Sequence, residues 1–377
     1  MLLTRTVSLI ALALLGSTIL SSAEKDPFDK ARIVNPAASF LDVAARRAEL
    51  ATATNPRVIA AWKRKAGCVS SEQPEPPTGR MIIPHHYLSG SNGPANPEEA
   101  TATLPYQRFQ NAATDGASRY VATGDSGEAV CVANLLSHWA AAKTLLGYSY
   151  RESSQAWYQV EWTLSSVSLG FSVVESDPAI PTAQRKAILD WMHAVTEYMF
   201  DQDPHPDDHA RENNHAYWRA LCATSVGILT SDQKLYRRGL EQYERAIGQM
   251  NPDGSLPLEM ARHENALHYQ SFALEPLVIV VQLAARQGLD LYGLRVNGHT
   301  IADAVNFLLR ASANPGLMKQ YASEPQTFSL FDGKNPPAWV EFWARRYPGK
   351  PWDTLLTAPL RDSTIGGSAT LYAAPAH

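Results

Sequence analysis

The stretch Pro181-Thr-Ala-Gln-Arg-Lys-Ala-Ile-Leu-Asp-Trp-Met-His-Ala-Val195 decides the fold class. Its apolar residues Ile188, Leu189, Met192 and Val195 recur at intervals of three and four, the period of an α-helix that buries one face. The Pro-Thr pair at its start is typical of a helix N-terminus. This stretch therefore predicts an amphipathic helix.

Helical patterns extend outward from this stretch over most of the chain. Alternating strand patterns are scarce, and Pro, Gly, Asn and Asp fill the connections. Many helices of similar length joined by short turns predict one all-α domain of antiparallel helices. The further predicted helices are Val132–Leu146, Gln155–Val174, Tyr217–Leu229, Leu235–Ile247 after an Asp232 cap, Leu277–Ala285 and Ile301–Leu309.

The N-terminal segment, residues 1–23, has the pattern of a secretory signal peptide. Arg5 provides a positive charge, Val7–Leu20 is nearly all apolar, and Ser21-Ser22-Ala23 offers small residues for cleavage. The apolar run is short for a bilayer span, although an uncleaved anchor is the alternative. We expect cleavage after Ala23, a secreted or periplasmic protein, and one catalytic domain over residues 24–377.

Charge narrows the range of partners. The formal net charge is −4, whereas a nucleic-acid partner would favour a basic face. An anionic sugar polymer is not excluded, because it needs only a local cationic cleft. We expect no nucleic-acid partner, no membrane partner after signal cleavage, and a monomer.

Three cysteines are informative because an exported protein meets an oxidising compartment. Cys68 lies in a polar, Pro-rich segment where a thiol has no packing role, and Cys131 begins an apolar helical run. Cys222 lies in an apolar stretch and is expected in the core. Of three possible pairings we favour Cys68–Cys131 with Cys222 free. Closing that loop stabilises the fold by roughly 4 kcal/mol on the chain-entropy model.

Residues 85–100 break the helical pattern. They begin His85-His86-Tyr87 and continue through Ser89-Gly-Ser-Asn-Gly-Pro-Ala-Asn-Pro97. A loop of this length in a compact domain is usually functional or disordered. We interpret it as a mobile lid whose first residues reach a ligand, with a plain surface loop as the alternative.

The densest polar cluster runs from Asp203 to Trp218. Its first half contains His205 and His209, but Pro204 and Pro206 prevent a regular helix that would align them. A solvated polar loop is thus a better account than a metal site, and we expect no metal ion or other cofactor.

The second half of this cluster, Asn213-Asn-His-Ala-Tyr-Trp218, precedes an apolar helix. An asparagine pair there also suits a plain N-cap. Imidazole and aromatic rings beside the amides exceed what capping needs and favour a sugar-binding wall.

A second cluster follows the turn Asn251-Pro-Asp-Gly and contains Glu259, Arg262, His268 and Tyr269. Arg262 and Tyr269 are seven residues apart, so on a continuous helix they would share one face. A surface arginine and a core tyrosine at this spacing are also common by chance.

These clusters resemble the alginate lyases of polysaccharide lyase family five. Asn213-Asn-His-Ala-Tyr-Trp218 is similar to that family's Asn-Asn-His-x-Tyr-Trp motif. Its second block is matched by Leu256-Pro-Leu-Glu259, Arg262, Ala266-Leu-His-Tyr269, Ala273-Leu274 and Pro276-Leu277. Cys131, Asn134 and Trp139 resemble a further family helix, with Leu135 where a tryptophan is usual. The resemblance covers about Cys68 to Leu309 and implies an incomplete α/α toroid.

The resemblance also implies a role for each matching residue. Asn214 and His215 match the pair that binds and neutralises the substrate carboxylate, Arg262 the arginine beside the reacting centre, and Tyr269 the tyrosine that moves the proton. Tyr87 is similar to a lid tyrosine, although Gly93 to Glu99 looks like an insertion. We also expect substrate contacts from His86, Trp139, Asn213, Trp218 and His268.

The chemistry implied is β-elimination, which removes H5 of a uronate and expels O4. Charge then develops on the carboxylate, and preorganised donors such as Asn214 and His215 would stabilise it. Arg262 would bring the pKa of Tyr269 down towards neutrality. In mannuronate and glucuronate H5 and O4 lie on one side of the ring, so one tyrosine could serve as base and then as acid. We expect a preference for polymannuronate, with polyglucuronate or hyaluronan as alternatives.

Three other classes remain open from sequence alone. A glycoside hydrolase would need a carboxylate pair, yet Glu212, Glu259 and Glu264 show no clear partner, and Glu259 is expected to orient Arg262. A non-catalytic periplasmic polyuronate-binding protein would not need the Tyr269 hydroxyl. A metal-dependent lyase is the third alternative.

Overall fold

The computed structural model describes residues 26–90, 93–202, 204–206 and 208–377. The predicted signal peptide, residues 1–23, lies outside these ranges. The chain divides into an N-terminal unit, residues 1–30, and one large compact unit, residues 31–377. Among the described residues no helix is long and apolar enough to cross a membrane.

The large unit is helical, and its described residues contain three isolated β-bridges but no strand. This confirms the predicted all-α class, and the fold is an α/α toroid. The α-helices are α1 (Val43–Ala51), α2 (Pro56–Lys63), α3 (Pro97–Thr123), α4 (Ser126–Ala141), α5 (Ser154–Val174), α6 (Thr182–Phe200), α7 (Asn214–Thr230), α8 (Gln233–Gly248), α9 (Pro257–Met260), α10 (Ala266–Arg286), α11 (Ile301–Ala313), α12 (Trp339–Arg346), α13 (Trp352–Leu355) and α14 (Ala369–Ala373).

The long helices form an inner and an outer layer. The inner helices α3, α5, α7 and α10 pack against one another in chain order, while α4, α6, α8 and α11 each pack against an inner neighbour. Helices α5 and α7 are buried along almost their whole length. A helix that is apolar on all sides belongs in the interior, and this explains the assignment of layers. The inner layer carries the polar residues described below.

Most predicted helix starts are confirmed. Helix α6 begins at Thr182, and Asp232 caps α8 by accepting hydrogen bonds from the backbone amides of Lys234 and Leu235. The predicted Val132–Leu146 ends too late, because α4 stops at Ala141 and Thr144 hydrogen-bonds the Trp139 carbonyl.

Two other boundaries were wrong. Helix α10 begins at Ala266 and continues through Pro276, whereas the predicted helix began at Leu277. Packing against α7, α11 and α12 outweighs the local cost of that proline. The predicted loop 85–100 ends at Asn96, which caps α3 ahead of Pro97. Asn-Pro followed by two glutamates is a favourable helix start.

The Cys68–Cys131 disulfide is confirmed, with 5.8 Å between the two Cα atoms. Cys222 is a free, buried cysteine in α7, as predicted. The disulfide joins α4 to the segment that leads into the loop at residues 85–96. The Trp139 indole N–H also donates to the Pro74 carbonyl (2.9 Å) and so holds the same segment.

Candidate active site

A cavity of about 750 Å³ opens over the inner helices. This volume is typical of ligand pockets. Its walls come from the loop after Pro84, from α3 and α5, from the start of α7, and from the segment between α9 and α10. Asn214, His215, Arg262 and Tyr269, which the sequence places in two separate clusters, all line this cavity.

The start of α7 is held by hydrogen bonds from both sides. Asn213 is the N-cap and accepts from the His215 backbone amide (3.0 Å). Glu259 accepts from the Asn214 backbone amide (2.7 Å) and from its Nδ2 (2.9 Å). The Asn214 Oδ1 is buried and has no hydrogen-bond partner among the described residues. A buried orphan acceptor in a cavity wall indicates a place for a ligand.

Glu259 was expected to orient Arg262. Both of its carboxyl oxygens instead accept hydrogen bonds from Asn214, so it does not orient Arg262 by hydrogen bonding. The carboxyl is fully buried, and burial raises its pKa to about 7, although the bonds from Asn214 act in the opposite direction. Glu259 thus supports the asparagine that the resemblance assigns to the substrate carboxylate.

His215 is held by a carboxylate and an aromatic ring. Its Nδ1 lies 2.8 Å from Glu161 Oε2, and its ring stacks on Tyr158 with 3.5 Å between centroids. Burial lowers the pKa of His215, while Glu161 acts to raise it. The imidazole orientation is therefore set before any ligand arrives.

Glu161 is itself bound by a second group. Arg219 Nη1 lies 2.6 Å from Glu161 Oε1, and the carboxylate side chain is wholly buried. Arg219 also donates to the Ala210 carbonyl (2.6 Å), and its guanidinium lies 4.1 Å from the centre of a Trp157 ring. The Glu161 carboxylate is thus paired with the Arg219 cation and hydrogen-bonded to the His215 ring, and removing either partner would leave a buried charge less well compensated.

Arg262 and Tyr269 meet, but not for the reason inferred from their spacing. Arg262 lies between α9 and a short 3₁₀ turn, outside α10, while Tyr269 lies in the first turns of α10. The Arg262 guanidinium carbon nevertheless lies 4.1 Å from the Tyr269 ring centre, within cation–π range. Arg262 Nε is buried and makes no hydrogen bond to any described residue.

The expected downward shift of the Tyr269 pKa was wrong in its net direction. Burial raises the pKa of Tyr269 well above 10, and the hydrogen bond with Tyr87 acts the same way. Arg262 opposes both, as the sequence predicted, but does not prevail. Tyr269 therefore carries its proton in the resting protein.

The loop residues His86 and Tyr87 reach the cavity as predicted. The hydroxyl oxygens of Tyr87 and Tyr269 are 2.8 Å apart, so the loop is joined directly to the predicted proton carrier. His86 lies 3.3 Å from Glu99 at the start of α3. His268 lies in the cavity wall beside Tyr269, with 5.3 Å between ring centroids.

Two predicted substrate-contacting residues are not in the cavity. Trp139 is fully buried and stacks on Phe109, with 3.7 Å between centroids, as part of the packing of α3 against α4. Trp218 is fully buried behind Phe272. Both are core residues, because the side of each helix that carries them faces another helix and not the cavity.

Helix α5 contributes cavity residues that were not predicted from the sequence. Its cavity-facing residues Gln155, Tyr158 and Trp162 are spaced by three and four, and Glu161 lies behind them. Polar and aromatic residues at helical spacing in this stretch indicate a cavity-facing side of the helix. The sequence pattern was interpreted only as that of a helix packed in the core. Further cavity residues came from α3 and the C-terminal region, namely Gln107, Gln110, Asn111, Ser363 and Thr364.

Within the described ranges, no three His, Cys, Asp or Glu side chains are grouped so as to hold a metal ion. Asp203 and Asp207 of the polar cluster lie outside those ranges. His209 and Asp208 line the cavity. The N-terminal half of the cluster thus contributes polar groups to its rim.

Comparison with known proteins gives concordant matches. The alginate lyase family model matches residues 35–317. A Stenotrophomonas maltophilia protein described as a polysaccharide lyase is 30% identical over 327 residues, 84% of this chain and 94% of that protein.

Solved structures agree over the whole helical unit. The crystal structure of alginate lyase A1-III from Sphingomonas species A1 superposes with a TM-score of 0.85 at 39% identity, covering 92% of this chain and 99% of that one. A variant of alginate lyase A1-III with one histidine replaced by alanine, complexed with a tetrasaccharide, gives a TM-score of 0.87 at 38% identity, covering 92% and 98%.

Proposed function

Because the chain belongs to the alginate lyase family and is a polysaccharide lyase, we propose that it cleaves the mannuronate blocks of alginate by metal-independent β-elimination. The product would be a chain with a 4,5-unsaturated uronate end. The family resemblance and the enzyme class predicted from sequence are confirmed by these matches, which set aside a non-catalytic binding protein.

One observation carries the proposal. Asn214, His215, Arg262 and Tyr269 line a single cavity, in which the donor Arg262 Nε has no hydrogen-bond partner among the described residues. Arg262 is the sole arginine or lysine among the described residues that line it. A cavity with one fixed cation beside an amide and an imidazole suits one sugar carboxylate at the reacting position.

In the proposed reaction the uronate carboxylate lies against Asn214 and His215 at the start of α7. The first backbone amides of a helix and its dipole favour an anion at this end. When H5 is removed, negative charge spreads into the carboxylate, and the Asn214 amide together with a protonated His215 ring stabilises it from fixed positions. Glu259 and Glu161 hold the two side chains in position for this task.

Tyr269 is the proposed proton carrier. Its phenolate oxygen takes H5 as the C4–O4 bond breaks, and the resulting hydroxyl then gives a proton to O4. Since burial raises the pKa of Tyr269, most of the resting protein is protonated and must lose that proton first. We therefore expect kcat to rise with pH from neutrality into the alkaline range.

The preference for mannuronate follows from having one such tyrosine. H5 and O4 lie on the same side of the mannuronate ring, so a single group can serve both, whereas guluronate needs a second group on the other face. The alginate lyase A1-III variant complexed with a tetrasaccharide supports an oligosaccharide as the ligand.

The test is an assay of purified protein on polymannuronate, polyguluronate, polyglucuronate and hyaluronan, following the ultraviolet absorbance of the unsaturated product. We expect the fastest cleavage of polymannuronate and the same rate after thorough chelation. Shortened chains without an unsaturated end would indicate hydrolysis and overturn the elimination. Loss of activity on chelation that zinc or calcium restores would overturn metal independence.

We also propose that residues 1–23 are removed as a signal peptide and that the enzyme works outside the cytoplasm. The disulfide supports this, because such bonds persist mainly in oxidising compartments. N-terminal sequencing of protein from a bacterial periplasm should begin at Glu24, and an intact Met1 would contradict the proposal.

A further inference from the structure

The contact between Glu161 and His215 determines which nitrogen faces the cavity. Glu161 Oε2 lies 2.8 Å from Nδ1, and the other carboxylate oxygen lies 2.6 Å from Arg219. A carboxylate can only accept hydrogen bonds, so Nδ1 carries a proton. In the neutral ring Nε2 then holds a lone pair.

A lone pair at Nε2 has a consequence for an anionic ligand. The carboxylate of a uronate is also only an acceptor, so it cannot bind a neutral His215 through Nε2. The ring can bind it only as imidazolium, in which both nitrogens donate. Stacking on Tyr158 restricts rotation of the ring, so it cannot readily exchange the two nitrogens.

We propose that Glu161 is a positioning residue that fixes the Nδ1–H form of His215 and thereby couples capture of a uronate carboxylate to uptake of one proton. The proton comes from a solvent hydronium ion, which is left as water, and is added at Nε2; no bond of the sugar forms or breaks. Glu161 and the bound carboxylate then flank the imidazolium on its two sides. This inference rests on the proposed function, since it takes a uronate as the ligand.

Arg219 holds the Glu161 carboxylate in the orientation that accepts the hydrogen bond from His215 Nδ1. It satisfies the second oxygen of Glu161 and is itself held by the Ala210 carbonyl and the Trp157 ring. Several other titratable or charged groups share the cavity with the His215 ring. These are Tyr158 of α5, Arg262 before α10, His268 and Tyr269 of α10, Asp208 and His209 before α7, His85, His86 and Tyr87 of the loop before α3, and Glu99 of α3.

The direction of the pH effect follows from two opposing causes. In the free enzyme burial, together with Arg219 and Arg262, lowers the pKa of His215. A bound carboxylate at Nε2 raises it in the complex. At a pH between the pKa of His215 in the free enzyme and its pKa in the complex, binding takes up one proton. Kd therefore increases by about tenfold for each unit rise in pH.

The experiment is calorimetry with the Tyr269→Phe variant, which should bind but not cleave, titrated with tetramannuronate near neutral pH. Measurements in two buffers of different ionisation enthalpy give the number of protons exchanged. We expect an uptake of about one proton. A value near zero with clear binding would overturn the inference and leave the lyase proposal standing.

A second variant tests the role of Glu161. Adding Glu161→Gln removes the charge but keeps the size, and its amide can donate to Nδ1 and release the Nε2–H form. We expect proton uptake to fall to near zero and the pH dependence of Kd to flatten. In active protein the same change should raise KM more than it lowers kcat. Undiminished proton uptake in this variant would show that Glu161 is not responsible.

Glu341→Gln is the matched control. Glu341 is also a fully buried carboxylate paired with an arginine, Arg57, at 2.5 Å, but it lies on α12 and does not line the cavity. It should lower stability to a similar degree and leave proton uptake unchanged. An equal loss of uptake in both variants would mean a general effect on folding and overturn the specific role.

Nitrogen-15 spectra of histidine-labelled protein test the same point if Glu161→Gln does not fold. The His215 ring should show a protonated Nδ1 and an unprotonated Nε2 in the free protein, and two protonated nitrogens with tetramannuronate. An Nε2–H form in the free protein would overturn the inference. Failure of tetramannuronate and polymannuronate to bind at all would instead count against the proposed function.

Discussion

Two sides of the cavity are built differently. The wall, which we define as Tyr158–Trp162 and Asn213–Arg219, is formed by two inner helices and rests on buried glutamates. The lid, which we define as His85–Asn96, joins the opposite side through the hydrogen bond between Tyr87 and Tyr269. The other hydrogen bonds of the lid's described residues are mainly between its own backbone groups. One example is the bond that the Leu88 N–H donates to the Pro94 carbonyl (2.9 Å).

This difference indicates that the wall and the lid have different roles. The wall sets the orientation of Asn214 and His215 in advance, as electrostatic stabilisation of a transition state requires. It does so with buried, imperfectly satisfied polar groups that cost stability. Because few hydrogen bonds of the lid's described residues reach other parts of the chain, we propose that the lid moves to admit a polymer. We therefore expect loss of the Asn214 donor to affect mainly kcat, and changes to the lid to affect mainly KM.

The largest effect is expected where the two sides meet, for Tyr269→Phe. Removing the hydroxyl removes the proposed base and acid, so kcat should fall by about 10³-fold. Binding of tetramannuronate should change little, because the ring and Arg262 remain. Initial rates of unsaturated product and calorimetric Kd values measure the two separately. Turnover close to wild type would assign the proton transfer to another group.

Asn214→Ala should come next, with kcat reduced by about 10²-fold, because one preorganised donor to the developing charge is lost. The variant also leaves Glu259 without its Nδ2 partner, so stability should be measured alongside. Asn55→Ala is a suitable control, since Asn55 caps α2 far from the cavity lining. If both variants lose activity equally, the effect is not specific to the wall.

Tyr87→Phe should have a smaller effect that appears mainly in KM. It removes one hydrogen bond, worth about 1 kcal/mol, so KM for polymannuronate should rise by up to about tenfold. The Tyr269 hydroxyl also loses the bond that helps to raise its pKa, so the alkaline rise of kcat should begin at lower pH. A large loss of kcat would show that the lid takes part in the chemistry.

The smallest effect concerns the stability of the wall. Burial raises the pKa of Glu259 from 4.5 to about 7, so the folded chain holds a proton that the unfolded chain releases in this range. The free energy of unfolding should therefore fall by about 1–3 kcal/mol as pH rises from 4.5 to 7. Glu259→Gln should remove this part of the slope in denaturant unfolding. Parallel slopes for the variant and the wild type would contradict it.

Much of the fold was predictable because its signals are local. The three-and-four spacing of Ile188 and its neighbours, the cap at Asp232 and the scarcity of alternating patterns each depend on residues within a few turns. Boundaries that depend on packing were missed. Helix α10 passes through Pro276 because the helices around it outweigh its local preference.

The chemistry of the site was also predictable in part. The residue types around Asn214 and Tyr269 carried the family resemblance, and the matches to alginate lyases confirm it. Trp139 and Trp218 show the limit of such a pattern. A motif tells which residues occur together, but not whether a side chain faces a cavity or a neighbouring helix.

By itself the sequence determined an all-α chain, one disulfide and a lyase with an amide, an imidazole, an arginine and a tyrosine. Only the tertiary structure decided that Glu161 supports His215 across 54 residues and that Glu259 supports Asn214 across 45. It also decided that Arg262 meets the Tyr269 ring without sharing its helix. The reason is physical, since helical period is a local property, while the distance between two buried side chains depends on how separate helices pack.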